Sequence, residues 1–543
     1  MWQHNYTPLA GNLLLSALVA AFPIFTLLFL LGIRKTSAWV AALYGLGAAS
    51  LTALFEYGMP PQNLIGAITY GAAYGLFPIG WIIFGAIFLY RVTVEGGCFE
   101  IIKDSIGGLT TDSRMQVLLV AFAFGAFLEG CSGFGTPIAI AASMLAALGF
   151  SSFYAAGICL VANTAPVAFG AIGIPIVVLA GVTGLPLLKL SATIGRVCAP
   201  VSLLIPAYLI FVMGGWKALR GVLPAVLVCG GVFATMQFTI SNFVGPQLTD
   251  ILSSVATLGA LVLLSKVWQP ADTFSLPGES EVRRPHQAHH HSGMELLRAW
   301  APYLVLVTFV LCWGVSYVQP WLNSVSVAVN WPWLHNTIQR VPPVVAKPSA
   351  YAASFSLNWL SNAGSACFLA GIVSAMLLGI RVRTVARVLV DTFRQLLLAE
   401  LTMAAVLAIA FLMNYSGATG TLGLAFAAAG ASFPFFSALL GWLGVFLTGS
   451  DASANALFGN LQVVTANRLG MNPLLMAAAN SSGGVMGKMI SLASIAVASS
   501  ATGMKHAEEA RLFRFSIRHS LLLACVVGLI VLFFAYIAPT WVP

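Results

Sequence analysis

The feature that most constrains this chain is a succession of apolar blocks, each about 20 residues long, separated by short polar connections. Clear examples are residues 11–32, 71–90, 300–319 and 520–538. A helix of about 20 residues has the length needed to cross a hydrocarbon layer about 30 Å thick. Because about twelve such blocks can be counted, we predict one large membrane domain with about 12 transmembrane helices.

The composition supports this class of protein. Only 8% of the 543 residues are charged and 59% are hydrophobic, whereas soluble domains carry about 25% charged residues. In lipid, backbone polar groups must be paired within a helix or a closed barrel. Long uninterrupted apolar runs are typical of helices, because barrel strands alternate polar and apolar residues. The predicted fold class is therefore an all-α polytopic membrane protein.

The cysteines and histidines give no indication of a cofactor or of a metal site. The eight cysteines lie almost all inside apolar blocks without a C-x-x-C pair, so we interpret them as small packing residues. His286 and the histidines at 289–291 lie in the one clearly polar stretch, 269–298, which we interpret as a solvated cytoplasmic loop. The net charge of +9 comes from scattered basic residues, which membrane topology explains better than nucleic-acid binding.

The Lys and Arg residues orient the predicted spans. Basic clusters follow the first, the third and several later blocks, whereas the connection at 56–63 has none. Because cytoplasmic loops are enriched in Lys and Arg, this pattern places both termini outside. Residues 323–350, which contain several prolines and tryptophans, would form an external loop. The first block lacks a basic leader and a cleavage site, so we expect a retained span.

An internal similarity indicates a duplication. The stretch 125–135 resembles 444–454, and two further pairs of short motifs follow in the same order. From Gly125 to Gly184 and from Gly444 to Gly503 the interval is 59 residues in both copies. The basic clusters give the direction of each predicted span. Counting the spans between the two copies then places the copies in opposite orientations in the membrane, so the repeats are inverted. Inverted repeats with interrupted spans are the sequence signature of secondary transporters whose site lies at the membrane midplane.

The repeats divide the chain into six predicted regions. These are scaffold spans at 1–64, a first repeat at 65–216, scaffold spans at 217–268, the cytoplasmic loop at 269–298, scaffold spans with the external loop at 299–385, and a second repeat at 386–543. In each repeat we predict a re-entrant helical hairpin, near 115–150 and 433–468, followed by a broken helix, near 152–182 and 473–503. An elevator-like carrier would move both repeats against the scaffold, with interfacial arms at 98–112 and 418–432 joining the two parts.

Each copy contains two polar, glycine-rich stretches that favour a helix break, at 129–137 and 163–166 in the first copy and at 450–455 and 480–484 in the second. Broken helices expose N–H ends that attract an anion. The alternative is that Gly and Ser in these stretches merely allow close helix packing. The candidate substrate ligands that the stretches supply are Ser132, Thr136, Asn163, Thr164, Ser450, Ser453 and Asn480.

Few ionisable residues lie inside the predicted spans, where a charge costs about 2.5–3.5 kcal/mol. Glu129 and Asp451 lie at the two hairpin tips, and this cost is explained if they bind and release a proton. Lys488 and Arg196 could pair with a substrate carboxylate, with structural ion pairing as the alternative. We interpret the remaining ionisable residues as interfacial or as satisfied polar groups: Asp391, Glu400 and His519.

Enzyme signatures do not fit this sequence. Residues 130–135 contain glycines, but no strand–helix unit follows them, so they do not form a phosphate loop. A GKS/T motif is absent, which argues against an ATP-driven pump. The sequence also shows no nucleophile–base pair in a water-accessible loop. We therefore predict that the chain is not an enzyme.

Three long motifs, at 127–140, 163–176 and 441–451, make the chain resemble the bacterial L-lactate permease family, which includes lactate and glycolate permeases. The similarity runs from Trp2 to the last span. This resemblance implies a symporter of a proton and a 2-hydroxymonocarboxylate in the inner membrane. Local departures from the family pattern at Cys131, Ser132 and Thr136 border the predicted cavity and affect which acid is preferred.

The sequence therefore predicts a proton-coupled carrier of L-lactate or glycolate, with lipid around it and no nucleic-acid partner. It is compatible with a homo-oligomer. Moving a monoanion against a negative-inside potential costs about 2.3 kcal/mol per 100 mV, and one co-transported proton removes that cost. One alternative is a sodium- or proton-coupled carrier of another small organic anion, such as a dicarboxylate. A second alternative, from a different class, is a membrane-embedded enzyme or receptor.

Overall fold

A computed structural model describes residues 1–133, 135–272, 274, 291–315 and 317–543, with only the backbone of residues 506 and 507. His286, His289 and His290, which we assigned to a solvated loop, lie outside the described residues.

The first part of the described chain is a succession of helices that runs as far as the polar loop. They are α1 Leu13–Ala20, α2 Phe22–Leu28, α3 Ala38–Leu51, α4 Pro61–Tyr74, α5 Trp81–Glu95, α6 Cys98–Gly107, α7 Ser113–Gln116, α8 Gly125–Cys131, α9 Thr136–Ala147, α10 Ser152–Ala162, α11 Gly170–Thr183, α12 Leu187–Gly221, α13 Leu223–Phe243 and α14 Thr249–Val267. π-helical segments at Phe29–Ile33, Thr52–Glu56, Gly75–Gly80 and Val117–Phe124 and a 3₁₀ turn at Val167–Phe169 join several of them.

The second part contains ten further helices and four of the five short strands. The helices are α15 Gly293–Gly314, α16 Val318–Asn323, α17 Ala363–Leu377, α18 Val382–Ser416, α19 Ala418–Phe426, α20 Phe433–Thr448, α21 Asp451–Leu469, α22 Pro473–Lys488, α23 Leu492–Ala501 and α24 His506–Tyr536, with 3₁₀ turns at Ala427–Ser432 and Pro539–Trp541. The strands are β1 Trp2–Gln3, β2 Val327–Asn330, β3 Ile338–Arg340, β4 Ser349–Ala350 and β5 Ser354–Leu357.

Twelve helices or joined helices of the described chain are long and apolar enough to cross a membrane, and the bent pair α10–α11 would add a thirteenth. This count confirms the predicted fold class. Large apolar side chains such as Leu14, Phe55 and Phe243 are exposed on the molecular surface. Such exposure is unfavourable in water and favourable against lipid, so these faces fit a membrane environment.

The order of elements recurs in the two predicted repeats. In both, a glycine with positive φ, Gly97 (70°) or Gly417 (92°), ends a span and starts a short helix, α6 or α19. A pair of helices joined by a tight turn follows, α8–α9 and α20–α21, and then a broken helix and a long helix, α12 and α24. The markers Gly184 and Gly503 also share positive φ, at 71° and 65°. The inverted orientation of the copies and the re-entrant character of the hairpins stay predictions.

The broken helices differ between the copies. In the first copy, α10 ends at Ala162 and the axis bends by 64° before α11, so the stretch 163–166 does interrupt the helix. In the second copy, the prediction of a break at 480–484 is wrong, because α22 continues to Lys488. The second interruption comes later, at residues 489–491, before α23.

Close packing explains the glycines at 483–484. A Cβ on Gly483 would collide with the carbonyl oxygen of Ala438, and a Cβ on Gly441 with that of Asn480. These glycines let α20 and α22 approach backbone to backbone, as small residues do in membrane helix pairs. The packing alternative was therefore the correct interpretation of this motif.

Short strands tie the N-terminus to the predicted external loop. β1 pairs in parallel with β3, with Trp2 opposite Ile338, and β3 pairs antiparallel with β4. β2 and β5 form a second antiparallel pair. The stretch 323–350 is therefore partly ordered as strands rather than an irregular loop.

The Tyr536 hydroxyl donates to the carbonyl of Ala431, so the end of α24 lies beside the start of the second hairpin.

Side chains near the predicted cytoplasmic ends of several helices form ion pairs and hydrogen bonds with one another. Arg114 is fully buried and pairs with Asp112 at 2.7 Å and with Asp272 at 3.0 Å. The Ser152 hydroxyl donates to the carbonyl of Thr502 at 2.7 Å, which joins the ends of the two broken helices. These contacts hold the bases of both repeats together.

Candidate functional site

The two hairpin tips meet at one cavity of about 210 Å³. The first tip contributes Gly133 and Gly135, and the second contributes Gly449 and Ser450. The broken helix of the first copy and α23 of the second close its sides. The remaining wall residues are Glu129, Val167, Gly170, Ala171, Ile174, Pro175, Met403, Asp451, Ala452, Lys488, Ala493, Ser494 and Val497.

Four helix N-termini reach this cavity. α9 begins after Gly135, α21 begins at Asp451 after its N-cap Ser450, and α23 presents Ser494 in its first turn. The chain is left-handed at residues 171–173, and the regular part of α11 that follows contributes Ile174 and Pro175. The first N–H groups of a helix lack partners within it and carry partial positive charge. Their convergence makes the cavity favourable for an anion.

Glu129 lies in the last turn of α8 and is only 3% exposed. The amide Nδ2 of Asn163 donates to its Oε2 at 2.9 Å, across from the interrupted part of the first broken helix. A Cβ on Gly170 would lie 2.7 Å from Oε1, so glycine at this position makes room for the carboxylate. The prediction that Glu129 lies at the cavity therefore agrees with its placement, and its role as a proton carrier stays a prediction.

Asp451 is the first residue of α21 and is 2% exposed. Its Oδ2 accepts hydrogen bonds from Ser481 Oγ at 2.6 Å and from Asn455 Nδ2 at 3.3 Å. Its Oδ1 has no hydrogen-bond partner within the described residues. One oxygen is thus fixed by the hairpin and the broken helix, and the other is buried against Gly484.

Lys488 is the last residue of α22 and lines the cavity at 8% exposure. It lies within electrostatic range of Asp451. Across the part of the chain that the structure describes, its ammonium makes no hydrogen bond or salt bridge, and no other Lys or Arg lines the cavity. A buried ammonium is costly unless it is paired, so this group favours an anionic ligand.

Arg196 does not reach the cavity, so its predicted role in substrate binding is withdrawn. It lies on α12, where its Nε donates to Asn242 Oδ1 at 2.8 Å and its guanidinium also binds the backbone carbonyl of Trp541. These contacts hold the C-terminal segment against α12 and α13. Its position in the sequence, just after the first broken helix, gave no indication of this distant partner.

Several predicted polar ligands lie just behind the cavity wall. The hydroxyls of Ser132 and Thr164 donate to their own helices, at Leu128 and Val161. Ser453 donates its backbone N–H to Ser450 Oγ at 3.2 Å, and Thr136 opens α9. None of these four side chains lines the described cavity. They shape the tips rather than forming the described wall.

Asn480 supports the second hairpin from behind. Its Nδ2 donates to Asn455 Oδ1 at 2.9 Å, and its Oδ1 accepts from Gln462 Nε2 at 3.1 Å. Because Asn455 also donates to Asp451, this network orients the carboxylate from the side away from the cavity. The structure therefore gives Asn480 a positioning role instead of direct contact with the cavity.

The remaining ionisable residues of the spans are placed as follows. His519 hydrogen-bonds the hydroxyl of Tyr208 at 2.5 Å, which agrees with its interpretation as a satisfied polar residue. Glu400 is partly buried, and neither of its carboxylate oxygens has a partner within the described chain. Asp391 is half-buried on the same helix, α18.

Sequence reasoning missed two residues that the structure places at or near the cavity. Ser494 lines the wall in the first turn of α23. Asp250, in the first turn of α14, is buried against the first hairpin. Its position right after a short helix break could have indicated Ser494. An acidic residue at the start of an apolar helix is ordinary at an interface, so the sequence gave no signal for the latter.

Comparisons with known proteins match this architecture. The family model described as L-lactate permease matches residues 16–538. The L-lactate permease of Bacillus subtilis (strain 168) is 45% identical over 97% of each chain. The chain belongs to the L-lactate permease family. The glycolate permease GlcA of Escherichia coli (strain K12) is 44% identical, covering 99% of this chain and 98% of its own.

Membership of this family confirms that the chain is a transporter and not an enzyme, and that it is a multi-pass protein of the bacterial inner membrane. The L-lactate permease of Escherichia coli (strain K12) is 43% identical over the full length of both chains. Among solved structures, MtrF of Neisseria gonorrhoeae, described as illuminating a class of antimetabolite efflux pumps, has a TM-score of 0.51 at 12% identity, covering 94% of this chain and 97% of its own. At that identity the likeness shows a shared fold alone.

Proposed function

We propose that this permease carries L-lactate or a related 2-hydroxymonocarboxylate such as glycolate, together with a proton. The observation that carries the proposal is the ammonium of Lys488, which is unpaired within the described residues and lines the cavity within electrostatic range of Asp451. The names of the relatives, lactate and glycolate permeases, support the same class of substrate.

The cavity offers complementary groups for both ends of a 2-hydroxy acid. The substrate carboxylate would bind the Lys488 ammonium and the N–H ends of α9 and α23. The substrate hydroxyl would donate to the Asp451 carboxylate, which lines the cavity. The apolar side chains of Val167, Ile174 and Val497 would contact the carbon chain. Charge-assisted hydrogen bonds of this kind are roughly twice as strong as neutral ones, which favours an acid over an alcohol or an amide.

Proton coupling would use the carboxylates of the tips. A monoanion entering a negative-inside compartment is opposed by about 2.3 kcal/mol per 100 mV. One proton bound by Glu129 or Asp451 would cancel the charge of the monoanion, so that the transport step moves no net charge across the membrane. Both groups are almost fully buried beside the cavity, so a change in their protonation would be felt directly by the bound anion.

The movement that we propose is elevator-like. The two hairpins and broken helices would form the mobile part, with α6 and α19 as arms that connect it to the other spans. The left-handed glycines Gly97 and Gly417 precede these arms and support a shared role for them. Cross-links between the mobile part and the other spans would stop uptake if this movement is correct.

Uptake into proteoliposomes tests the function. Purified protein would accumulate labelled L-lactate or glycolate when the outside is made acidic, with a sodium gradient as the matched control. We expect accumulation with the pH gradient and none with sodium alone. Uptake that follows sodium and ignores pH would contradict proton coupling. Uptake of a dicarboxylate without any monocarboxylate would contradict the substrate class.

A further inference from the structure

A second buried carboxyl group lies next to the first hairpin and outside the cavity wall. Asp250 occupies the first turn of α14 and is 1% exposed. Neither of its carboxylate oxygens has a hydrogen-bond partner within the described residues. Burying an ionised carboxylate without partners costs several kcal/mol, so a group in this environment needs a proton or a function that explains its cost.

Asp250 packs directly against the residue that follows Glu129. A Cβ on Gly130 would lie 2.8 Å from the Cβ of Asp250 and 3.1 Å from the backbone nitrogen of Ile251. Only a glycine lets α8 and the start of α14 come this close. The contact places the Asp250 carboxyl group beside the turn of α8 that carries Glu129, within electrostatic range of its side chain.

The surroundings of Asp250 offer no positive charge. The titratable groups that face it are Glu129 and Cys131 on α8 and Cys198 on α12. The other elements packed against α14 are α11, α13 and the segment Val117–Phe124, and their sequences contain no charged residue. The Lys or Arg of the described cavity wall, Lys488, lines the same cavity as Glu129 and is not among the groups that interact with Asp250. Carboxyl groups that interact at short range bind protons as a coupled pair.

The two members of this pair have different environments. Glu129 lines the cavity and accepts a hydrogen bond from Asn163. Asp250 has neither access to the cavity nor a donor. When two carboxyl groups share one proton, such a difference decides which of them carries it.

We propose that Glu129 and Asp250 bind the transported proton jointly, with Glu129 exchanging it with the cavity and Asp250 acting through Glu129. The proton enters on a Glu129 oxygen, and Asp250, which makes no hydrogen bond to Glu129 within the described residues, acts on it electrostatically across Gly130. Asp250 does not touch substrate, so it is a positioning residue for the proton. This inference rests on the proposed proton symport and names a residue that raises the proton affinity of the site.

The test is the pH profile of uptake by Asp250→Asn in proteoliposomes. Without the second carboxylate, Glu129 holds the proton less tightly, so the half-maximal pH of proton-driven uptake should shift toward acid by about one unit. Near neutral pH, uptake should fall about tenfold, and it should recover toward the wild-type rate at acidic pH. Exchange of preloaded substrate should stay within about threefold of wild type.

Two controls keep the result interpretable. Ser254→Ala changes a buried residue one turn further along α14, whose hydroxyl bonds the carbonyl of Ile251, and it should leave the pH profile unchanged. Because the pair acts as a unit, Glu129→Gln with Asp250→Asn should be no worse than Glu129→Gln alone.

Three outcomes would overturn the inference. The first is a pH profile of uptake by Asp250→Asn that is identical to that of the wild-type protein. The second is a loss of uptake that is equal at every pH and accompanied by a lower amount of protein. The third is a loss of uptake in the double variant that equals the sum of the losses in the two single variants. Each of these presupposes that the wild-type protein takes up substrate with protons. If the wild-type protein shows no response to pH, the proposed symport fails first, and the two failures are thereby distinguished.

Discussion

The two repeats place their carboxylates on opposite limbs of similar hairpins. In the first copy Glu129 comes before the tip, in the last turn of α8, where the partial negative charge of the helix end is unfavourable for an anion. In the second copy Asp451 comes after the tip, at the first residue of α21, where the helix stabilises it. Related motifs have therefore produced two carboxylates with different electrostatic settings.

The cation of the site belongs to the second copy alone. Lys488 ends α22 within electrostatic range of Asp451, whereas the side chain that hydrogen-bonds Glu129 in the first copy is the uncharged amide of Asn163. From this difference we expect a division of labour, in which the second copy binds the anion and the first copy handles the proton. The following predictions test this division, beginning with the largest expected effect.

Replacing Lys488 should affect transport most. Lys488→Gln removes the one Lys or Arg of the described cavity wall, and losing a charge-assisted contact worth about 3 kcal/mol should lower kcat/KM for uptake about 100-fold. Arg196→Gln is the matched control, because its guanidinium lies outside the cavity, and it should stay within about threefold of wild type. Equal losses in the two variants would contradict our placement of the anion site.

Removing either carboxylate should separate driven uptake from exchange. One coupled proton accumulates substrate about tenfold per pH unit of gradient, and Glu129→Gln should abolish this accumulation while exchange of preloaded substrate continues. Asp451→Asn should impair accumulation and should also weaken substrate binding, because Asp451 lines the cavity within electrostatic range of Lys488. If both variants behave like wild type in both assays, neither carboxylate couples transport to protons.

Alanine at the close contacts of the second copy should lower stability without a specific effect on coupling. Gly441→Ala and Gly483→Ala each place a methyl group against a backbone carbonyl, which should cost about 1–3 kcal/mol. Thermal unfolding in detergent measures this loss. Gly47→Ala on α3 is the control, because nothing lies within 4 Å of its Cβ position. An unchanged melting temperature for all three variants would contradict the tight packing of α20 on α22.

The smallest expected effect concerns the N-terminal segment. This segment packs at the start of α19, the second arm, and no described segment packs in the same way at the start of α6, the first arm. The His4 ring lies 3.3 Å from the Cβ position of Gly417, whereas that of Gly97 is open. Burial lowers the pKa of His4 from 6.5 to about 4. The undocked segment therefore binds a proton more readily, and docking is fully favourable above about pH 6.5 and weakens as pH falls toward 4.

Hydrogen exchange of residues 2–6 measures this docking. It should be faster at pH 5 than at pH 7.5 after correction for intrinsic rates, corresponding to a loss of about 1–2 kcal/mol. His4→Gln should remove the pH dependence. Protection that increases at lower pH would contradict the neutral, buried state of His4.

The sequence was sufficient to predict the membrane spans and to predict that the two hairpin tips meet at one cavity. The apolar blocks predicted the number of helices because lipid demands a fixed length of apolar helix. The paired motifs predicted that Glu129 and Asp451 would share a cavity, and both line it. The positions of the tips followed from local chemistry, since glycines there adopt positive φ, as at Gly135 and Gly449.

The errors came from features that depend on distant parts of the chain. A glycine pair is equally compatible with a break and with a close contact, and only the position of α20 decided that α22 stays continuous at 480–484. Arg196 binds the carbonyl of Trp541, and Asp250 packs against Gly130. Neither partner can be inferred from neighbouring residues, because these contacts are set by the tertiary arrangement of the helices.

One cross-copy contact has an evolutionary consequence. Asn455 on α21 donates to the carbonyl of Pro175 on α11, and a Cβ on Gly459 would lie 2.5 Å from Leu179. The broken helix of one half thus lies along the hairpin of the other, so neither half can enclose an anion alone. If the two halves arose by the duplication that the sequence predicts, an ancestor with a single half would have needed two chains side by side, and fusing their genes would have freed each half to specialise.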